Sequence, residues 1–480
     1  MLKKAAATAV QWNTASTAIV FAVQIIQLAV LARLLLPGDF GLAATVTIIL
    51  GFVQSYVDMG IGNAIIHRQD IKANELHSLY WFNVFAGALA FALLAAATPL
   101  IIKFYHEPRL GPLLICAALI PLIASWGQQF QALLQKELQF RTLALVDAAS
   151  ALVGFVVSML SVAAGFGALS LVTSQLGAAC CTALSLVAIG WRRRPPALHF
   201  STSDLRGYLS FGLYQVGART ISLVTARLDQ FFISIFLGPI ALGYYSIGWN
   251  LTIQPLYRIN AVLTRVSFPV FARIQHDTQR LKRGYMFVIW MLSTVNAPIM
   301  LGLAVVAPAL VPLALGERWE LAIPTIQILS IVGWLRTMGN PIGSLLLAMG
   351  RADLDFKWDF AFMLVQVPAL YFSARYLPLE GVAGVVALLM AANLAAMYLL
   401  LRRWLFGPCL WEYVRNICAP FALAAIMAGA VFAVGKSFPT HSVVNLSLQV
   451  VIGAVVYVIL SFVTQRLEWR ELIKSVRRSS

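Results

Sequence analysis

The chain has 480 residues, of which 60% are apolar and only 11% are charged, and its formal charge is +16. Soluble domains carry about 25% charged residues, so this composition excludes a soluble globular protein and indicates a chain that lies mostly in lipid. Nucleic-acid binding is excluded as well, because it needs a solvated basic face and most basic residues here lie in short gaps between apolar runs.

Taking about 20 apolar residues as one crossing of a bilayer, the sequence predicts fourteen transmembrane helices. Their predicted limits are 12–36, 40–66, 77–102, 110–134, 142–164, 168–190, 208–236, 240–271, 285–313, 321–349, 357–376, 381–401, 414–435 and 442–464. Several exceed the minimum length, which predicts tilt, kinks or helix beyond the lipid. The first run is too long for a signal peptide and lacks a small-residue cleavage pattern, so we expect an uncleaved first span.

Basic residues are divided unequally between the two sides that fourteen alternating spans define. Of the 35 lysines and arginines, 24 fall on the side of the two chain ends. The opposite side has only Arg33, Lys103, Arg109, Arg318, Arg375 and Lys436. Since short cytoplasmic loops carry the excess of Lys and Arg, both termini are predicted to be cytoplasmic.

A basic, proline-containing connector, residues 191–204 (WRRRPPALHFSTSD), separates the first six spans from the next six. LPGDFG at 36–41 and GPIALG at 238–243 share the pattern Pro-x-x-[Phe/Leu]-Gly, which favours a parallel repeat, although tight helical hairpins often contain Pro and Gly. We predict six-helix lobes at 1–195 and 196–406, followed at 407–480 by two additional helices and a basic cytoplasmic tail.

The two halves differ in the charges within their predicted spans. The first half offers Asp58 and Asp147, and the second offers Asp229 and the arginines Arg219, Arg227, Arg258, Arg265 and Arg336. A cation at the bilayer centre costs about 2.5–3.5 kcal/mol on insertion scales, so such residues usually face protein or a watery cavity. Guanidinium stays charged and presents a planar fork of donors that suits phosphate. The five arginines therefore predict a cavity that binds an anionic ligand.

Each of these residues also has a structural explanation. An arginine can snorkel toward headgroups or bond a helix carbonyl, which explains Arg265 as well as ligand binding does. Arg227 can serve Asp229 or the outer interface. Asp58 and Asp147 are candidates for a proton or sodium coupling site, or for hydrogen bonds within the protein.

The segment GNPIGS at 339–344 is the candidate hinge, formed by Gly339, Pro341 and Gly343, because proline removes a backbone donor and bends a helix. The sequence has no Walker loop, HExxH, CxxC pair or nucleophile elbow, and its five cysteines lack ligand-like spacing. We therefore predict no enzyme activity, no cofactor and no metal. Uphill transport would depend on a proton or sodium gradient, or on substrate supply.

Three longer strings resemble one known family. GQQFQALLQKELQF at 127–140, RVSFPVFARIQHDT at 265–278 and GNPIGS at 339–344 resemble the polysaccharide transport family, and within it the Wzx-type flippases similar to colanic acid exporters. The resemblance extends from the first span through Arg403 and is looser beyond. It implies the multidrug/oligosaccharidyl-lipid/polysaccharide exporter fold, an all-α membrane protein with two six-helix lobes around a central cavity, here with two further C-terminal helices.

The same resemblance implies a function. It implies translocation of undecaprenyl-diphosphate-linked oligosaccharide repeat units across the bacterial inner membrane by alternating access, for exopolysaccharide or capsule biosynthesis. The implied partners are the lipid-linked oligosaccharide, membrane lipids, and the polysaccharide polymerase and export machinery. The alternative is an ion-coupled multidrug antiporter of the same superfamily, which needs acids in its cavity. A membrane glycosyltransferase or polymerase needs a substantial soluble loop, and the predicted loops are too short.

Overall fold

The computed structural model describes residues 2–58, 61–68, 70–205, 208–436, 442–466 and 468–469. Within these ranges the chain is almost entirely helical and contains no β-strand. Some side chains in helices lie outside the description, namely those of residues 2–11, 13, 58, 61, 63, 67, 209–219, 258–259, 261–266, 268–270, 352 and 404.

The described residues form fifteen α-helices in chain order. They are α1 (Leu2–Leu34), α2 (Pro37–Asp58), α3 (Ile61–His67), α4 (Ala73–Tyr105), α5 (Leu110–Lys136), α6 (Phe140–Ala163), α7 (Leu169–Arg193), α8 (Tyr208–Phe236), α9 (Gly238–Ile274), α10 (Thr278–Leu315), α11 (Ile323–Ala348), α12 (Ala352–Tyr376), α13 (Leu379–Leu401), α14 (Leu410–Lys436) and α15 (Val443–Thr464). A 3₁₀ helix, Glu317–Ala322, precedes α11, and a π-helical turn, Arg402–Phe406, follows α13.

All of these helices except α3 are long enough to cross a bilayer, since the shortest of them have 22 residues. Eleven are also apolar enough by composition, which makes this a multi-pass membrane protein and confirms the predicted all-α membrane fold. The remaining three, α8, α9 and α12, match predicted spans and each carry three or more charged residues. The span predicted at 40–66 consists of two helices, α2 and α3.

The chain forms two compact units, residues 1–243 and 244–480. In the first unit α5 packs against α4 and α7, α6 packs against α1 and α7, and α8 packs against α2 and α3. Two apolar clusters hold these helices together, one that includes Leu42 and Leu114 and another that includes Tyr80 and Phe130. The predicted division into six-helix lobes at 1–195 and 196–406, with two additional helices and a basic tail at 407–480, stays a prediction.

The loops of the first unit gather at two ends, which we name for use below. The proline end contains the loops at 35–36, 106–109, 164–168 and 237, close to Pro37 and Pro239. The basic end contains residues 68 and 70–72 and the loops at 137–139 and 194–205. Glu137 pairs across the basic end with Arg194 at 3.2 Å. At the proline end the short loop before α2 is closed by Asp39, whose Oδ2 accepts a hydrogen bond from Leu36 N at 3.0 Å.

In the second unit α10 packs against α11, α14 and α15, and α13 packs against α11 and α12. Buried hydrogen bonds join the last two helices to α10. Ser293 Oγ donates to Ile417 O at 2.8 Å, and the Tyr457 hydroxyl donates to Thr294 O at 2.9 Å. Helices α14 and α15 are therefore built into the core of this unit.

Candidate functional site

A cavity of about 220 Å³ lies within the first unit, and Arg227 of α8 forms part of its wall. Arg227 Nη1 donates to Gln230 Oε1 at 2.9 Å, and elsewhere in the lining Gln175 Nε2 donates to Thr47 Oγ1 at 3.4 Å. The other lining residues are Ile48, Leu50, Gly51, Phe52, Gln54 and Leu223. One cation beside neutral amide and hydroxyl groups can bind a phosphate or sugar hydroxyls.

Helical geometry explains which neighbour Arg227 contacts. Gln230 is three residues further along α8 and shares the face of Arg227, whereas residues two apart, such as Arg227 and Asp229, are not neighbours on a helix surface. Asp229 is fully buried, and its Oδ1 accepts a hydrogen bond from Gln230 N at 2.8 Å. Gln230 therefore joins the arginine and the buried acid in one hydrogen-bonded turn of α8.

In the second unit Arg336 of α11 lies against two aromatic side chains of α9. Its guanidinium carbon is 4.8 Å from the centroid of the Trp249 ring, and its Nη1 donates to the Tyr257 hydroxyl at 3.2 Å. The Trp249 side chain is 2% exposed and that of Tyr257 is 46% exposed. An aromatic face stabilises a nearby cation by about 0.5–2 kcal/mol, which lowers the cost of keeping Arg336 half-buried.

The other three predicted arginines are placed only by their helices. Arg219 lies on α8, and Arg258 and Arg265 lie on α9, with side chains outside the described residues. Of the two described arginines, Arg227 belongs to the first unit and Arg336 to the second. The convergence of all five on one cavity stays a prediction.

The candidate coupling carboxylates are Asp58 and Asp147. Asp58 is the last residue of α2, and its side chain lies outside the described residues. Asp147 lies on α6, and its side chain is exposed. Their role in coupling stays a prediction. The part of the chain that the structure describes contains no group of three or more His, Cys, Asp or Glu that could hold a metal ion.

Helix α11 continues through the candidate hinge residues without interruption. A Cβ built on Gly339 would lie 3.4 Å from the sulfur of Met397 on α13, and one built on Gly343 would lie 3.5 Å from Asp355 Oδ1 on α12. Pro341 between them is buried. Both distances are ordinary van der Waals contacts, so the packing of α12 and α13 does not require glycine at these two positions. The role of the segment as a hinge stays a prediction.

At the proline end α2 and α9 begin in backbone contact with each other. A Cβ built on Gly41 would overlap the carbonyl oxygen of Pro239, and one built on Gly243 would overlap the carbonyl oxygen of Pro37. Since glycine alone lacks a Cβ, any other residue at either position would force the helices apart. The two segments that share Pro-x-x-[Phe/Leu]-Gly thus meet each other in a reciprocal contact.

A buried hydrogen bond continues this contact one helical turn further along. Thr45 Oγ1 of α2 lies 2.7 Å from Ser234 Oγ of α8, and both residues are buried. Thr45 Oγ1 also donates to Gly41 O at 3.1 Å, so the Ser234 hydroxyl is the donor to Thr45. The proline end is therefore closed by α2, α8 and α9 together.

Sequence reasoning missed the partners of the described arginines. Trp249 and Tyr257 are eight residues apart and therefore share roughly one face of α9, which is a signal that could have found them. Thr47 and Gln175 lie on different helices, and no local sequence pattern marks them as neighbours. The same is true of Thr45 and Ser234. Only the packing of α2 against α7 and α8 brings these polar groups together.

These spans and their packing define a class of protein, an all-α multi-pass membrane protein. The fold is similar to that of the lipid II flippase MurJ in its inward closed conformation, with a TM-score of 0.75 and 13% sequence identity over 96% of this chain and 99% of that chain. This similarity shows the fold alone.

The chain belongs to the polysaccharide biosynthesis protein family, whose pattern matches residues 30–324. It is 33% identical over 94% of each chain to TuaB, the teichuronic acid biosynthesis protein of Bacillus subtilis (strain 168). It is 32% identical to WzxC, the lipopolysaccharide biosynthesis protein of Escherichia coli (strain K12), over 88% of this chain and 86% of that protein. The resemblance inferred from the three sequence strings is confirmed.

Proposed function

We propose that this protein is a flippase that moves undecaprenyl-diphosphate-linked oligosaccharide repeat units from the cytoplasmic to the periplasmic leaflet of a bacterial inner membrane, with both termini in the cytoplasm. The family and the MurJ-like fold support a carrier of polysaccharide precursors. The observation that carries the proposal is Arg227, a cation that shares the wall of a cavity with Thr47, Gln54 and Gln175 inside a unit made of membrane-spanning helices.

The physical task is to carry a diphosphate and several sugars through hydrocarbon. An unpaired charge or unbonded hydroxyl in that environment costs several kcal/mol, so the headgroup needs a cation and hydrogen-bonding side chains along its path. Arg227 and Arg336 supply the cations, while Thr47, Gln54 and Gln175 supply neutral groups for sugar hydroxyls. The polyprenyl tail needs no such groups and can remain in the lipid.

Alternating access requires that the helix ends at the predicted periplasmic side separate when the headgroup leaves. The contact of Gly41 and Gly243 with the opposing proline carbonyls, and the bond between Thr45 and Ser234, close the proline end. In our proposal these contacts break once in each transport cycle. No covalent chemistry or cofactor is needed, and Asp58 and Asp147 are the candidates for coupling to a proton or sodium gradient.

The alternative is an antiporter for organic cations, and the described cavity does not favour it. A cationic substrate needs a carboxylate in the wall, whereas the wall of the first-unit cavity contains Arg227 and neutral residues. In a cell the flippase would hand its product to a polysaccharide polymerase and to export machinery, which we propose as partners.

The test is transport of a fluorescent lipid-linked oligosaccharide between the leaflets of proteoliposomes. Removing a charge-assisted hydrogen bond costs about 1.5–3 kcal/mol, so we expect Arg227→Gln and Arg336→Gln each to slow transport about tenfold or more. The matched control is Arg375→Gln, because Arg375 also donates to a tyrosine hydroxyl, that of Tyr371 at 2.9 Å, but lies exposed at the end of α12. We expect the control to transport at the wild-type rate.

Wild-type transport by the Arg227→Gln, Arg336→Gln double variant, in protein that unfolds at the wild-type temperature, would contradict the proposal. Efflux of ethidium from the same proteoliposomes, driven by a proton or sodium gradient and unaffected by the glycolipid, would instead support the antiporter.

A further inference from the structure

A second cavity, of about 160 Å³, lies at the basic end of the first unit, between the C-terminal turns of α5 and α7. Its apolar wall is formed by Phe130, Leu133, Leu134 and Ile189. Its rim carries Glu137, Arg193 and Arg194. The cavity therefore combines an apolar floor with charged groups on one side only.

The shape of this cavity depends on Gly190. A Cβ built on Gly190 would overlap the ring of Phe130, so the absence of a side chain lets the ring lie directly on the backbone of α7. The Phe130 side chain is buried there and also packs against the ring of Tyr80, with centroids 5.6 Å apart. The floor of the cavity is thus held in place from two sides.

The charged rim has an excess of cations. Arg194 Nη2 lies 3.2 Å from one oxygen of Glu137, and Arg193 Nη1 lies 3.7 Å from the other. Arg193 Nη1 also donates to Gln139 Oε1 at 2.8 Å. A single carboxylate holds the two guanidiniums side by side and neutralises one of them, and the exposed Arg192 adds a further positive charge. Each guanidinium has five N–H donors, more than these contacts use.

The position of the cavity matches the level of lipid headgroups. Leu133 and Ile189 lie in the last turns of two membrane-spanning helices, and the arginines follow where α7 ends. Trp191 follows Gly190 of the cavity wall in the chain and is 49% exposed, and tryptophan concentrates at membrane interfaces. A group bound here would have its polar part in the headgroup region and its apolar part in hydrocarbon.

We propose that this cavity binds one anionic phospholipid of the surrounding leaflet, with phosphatidylglycerol as its chemical type. The lipid phosphate pairs with Arg193 and Arg194, and the first part of an acyl chain covers Phe130, Leu133 and Ile189. Basic recesses between helices suit anionic headgroups, and the apolar floor excludes a soluble anion as the preferred occupant. The site is separate from Arg227 and does not depend on what the protein transports.

The test is native mass spectrometry of the full-length protein in detergent, titrated with phosphatidylglycerol and, separately, with phosphatidylcholine. We expect one phosphatidylglycerol to bind wild-type protein more tightly than phosphatidylcholine does. Each surface Lys or Arg contributes about 1 kcal/mol to such binding, so the Arg193→Gln, Arg194→Gln variant should lose about tenfold or more in affinity. The matched control is Arg402→Gln, Arg403→Gln, which removes another consecutive pair of exposed arginines. This variant should bind phosphatidylglycerol with the wild-type affinity.

A second variant separates lipid from phosphate. Ile189→Trp fills the apolar floor without changing any charge. It should therefore weaken the binding of phosphatidylglycerol and leave any binding of inorganic phosphate unaffected. Thermal unfolding of each variant verifies that it is folded. Equal binding of the two lipids, or wild-type phosphatidylglycerol affinity in the Arg193→Gln, Arg194→Gln variant, would overturn the proposal. Displacement of the lipid by millimolar inorganic phosphate would also overturn it and point to a soluble anion instead.

Discussion

The two ends of the first unit are held together by different means. At the proline end helix backbones touch, because Gly41 and Gly243 each lie against a proline carbonyl, and the nearby hydroxyls of Thr45 and Ser234 are bonded in a buried position. At the basic end the loops do not need close backbones, since long side chains such as those of Glu137 and the arginines reach between them.

The connector, residues 191–204, shows how the basic end is assembled. Trp81 Nε1 donates to Ala197 O at 2.9 Å, and Ser78 Oγ donates to Asp204 Oδ2 at 2.8 Å. His199 Nε2 lies 3.0 Å from the same carboxylate oxygen. These bonds fasten the connector to the start of α4, so the basic end depends on several separate side-chain contacts.

This difference suggests how each end should respond to change. Backbone contact leaves no space for adjustment, so a small addition at the proline end should have a large effect. Side-chain contacts at the basic end are numerous and either exposed or only partly buried, so losing one should have a small effect. The following experiments, from the largest expected effect to the smallest, test that contrast.

The largest effect should come from a covalent link at the proline end. In a variant without the native cysteines, Thr45→Cys and Ser234→Cys replace hydroxyls that lie 2.7 Å apart, and oxidation should join α2 to α8. We expect the oxidised protein to lose nearly all transport of the lipid-linked oligosaccharide, and a reductant to restore it. The matched control is Ser161→Cys, Thr173→Cys, whose hydroxyls lie 2.9 Å apart between α6 and α7. Full transport by the linked Thr45–Ser234 variant would show that this end does not open.

A smaller but clear effect should follow from adding a single methyl group. Gly41→Ala and Gly243→Ala each place a Cβ on a proline carbonyl, and overpacking of this kind costs about 1–3 kcal/mol. We expect a lower unfolding temperature in detergent for both variants. Gly384→Ala is the control, because a Cβ there meets nothing within 4 Å. Removing a helical glycine at such an open position should be neutral or stabilise the protein by up to about 1 kcal/mol. Equal unfolding temperatures for all three variants would contradict the backbone contact.

The smallest effect should be found at the basic end. The hydrogen bond from Ser78, with a contribution from His199, holds the pKa of the Asp204 carboxyl below its ordinary value. A carboxylate with a lowered pKa stabilises the folded connector above its unfolded pKa of about 3.9, and the stabilisation is lost as the pH falls through the folded value. Asp204→Asn should therefore increase deuterium uptake of residues 197–205 at pH 7.

The same variant should lack the additional loosening of these residues that wild-type protein shows below about pH 4, once uptake is corrected for intrinsic exchange. Its unfolding temperature should fall less than those of the glycine variants at the proline end. Asp353→Asn, which removes an exposed carboxylate from the second unit, is the control and should leave residues 197–205 unchanged. A larger fall in unfolding temperature for Asp204→Asn than for Gly41→Ala would reverse the contrast between the two ends.

The membrane spans could be predicted from the sequence because their length depends on the bilayer. The predicted span 208–236 coincides with α8, even though three charged residues interrupt its apolar pattern. The span predicted at 40–66 was wrong in one respect, since hydropathy is averaged over a window and does not separate α2 from α3. The packing of α8 with α2 and α3 in the first unit also has no local signal, because the connector before it suggests a boundary there.

The candidate site could be predicted only in part. Arg227 and Arg336 could be identified because a charged residue within an apolar run is visible in the sequence alone. The side chains that contact Arg336 could not be predicted. Trp249 and Tyr257 are 87 and 79 residues before it in the chain, and contacts between such distant residues depend on how the helices pack. Arg219, Arg258 and Arg265 stay predictions, as do the roles of Asp58 and Asp147.

The sequence by itself determined that this chain is a multi-pass helical membrane protein of the polysaccharide biosynthesis family, because apolar run length and family-specific strings are read along the chain. Only the tertiary structure decided that the two Pro-x-x-[Phe/Leu]-Gly segments touch each other, that Arg227 lines a cavity together with Gln175, and that Arg193 and Arg194 share one carboxylate above an apolar floor. The reason is physical: hydrophobicity places each helix in the membrane independently, whereas close contacts and charge pairs arise between helices that are far apart in the chain.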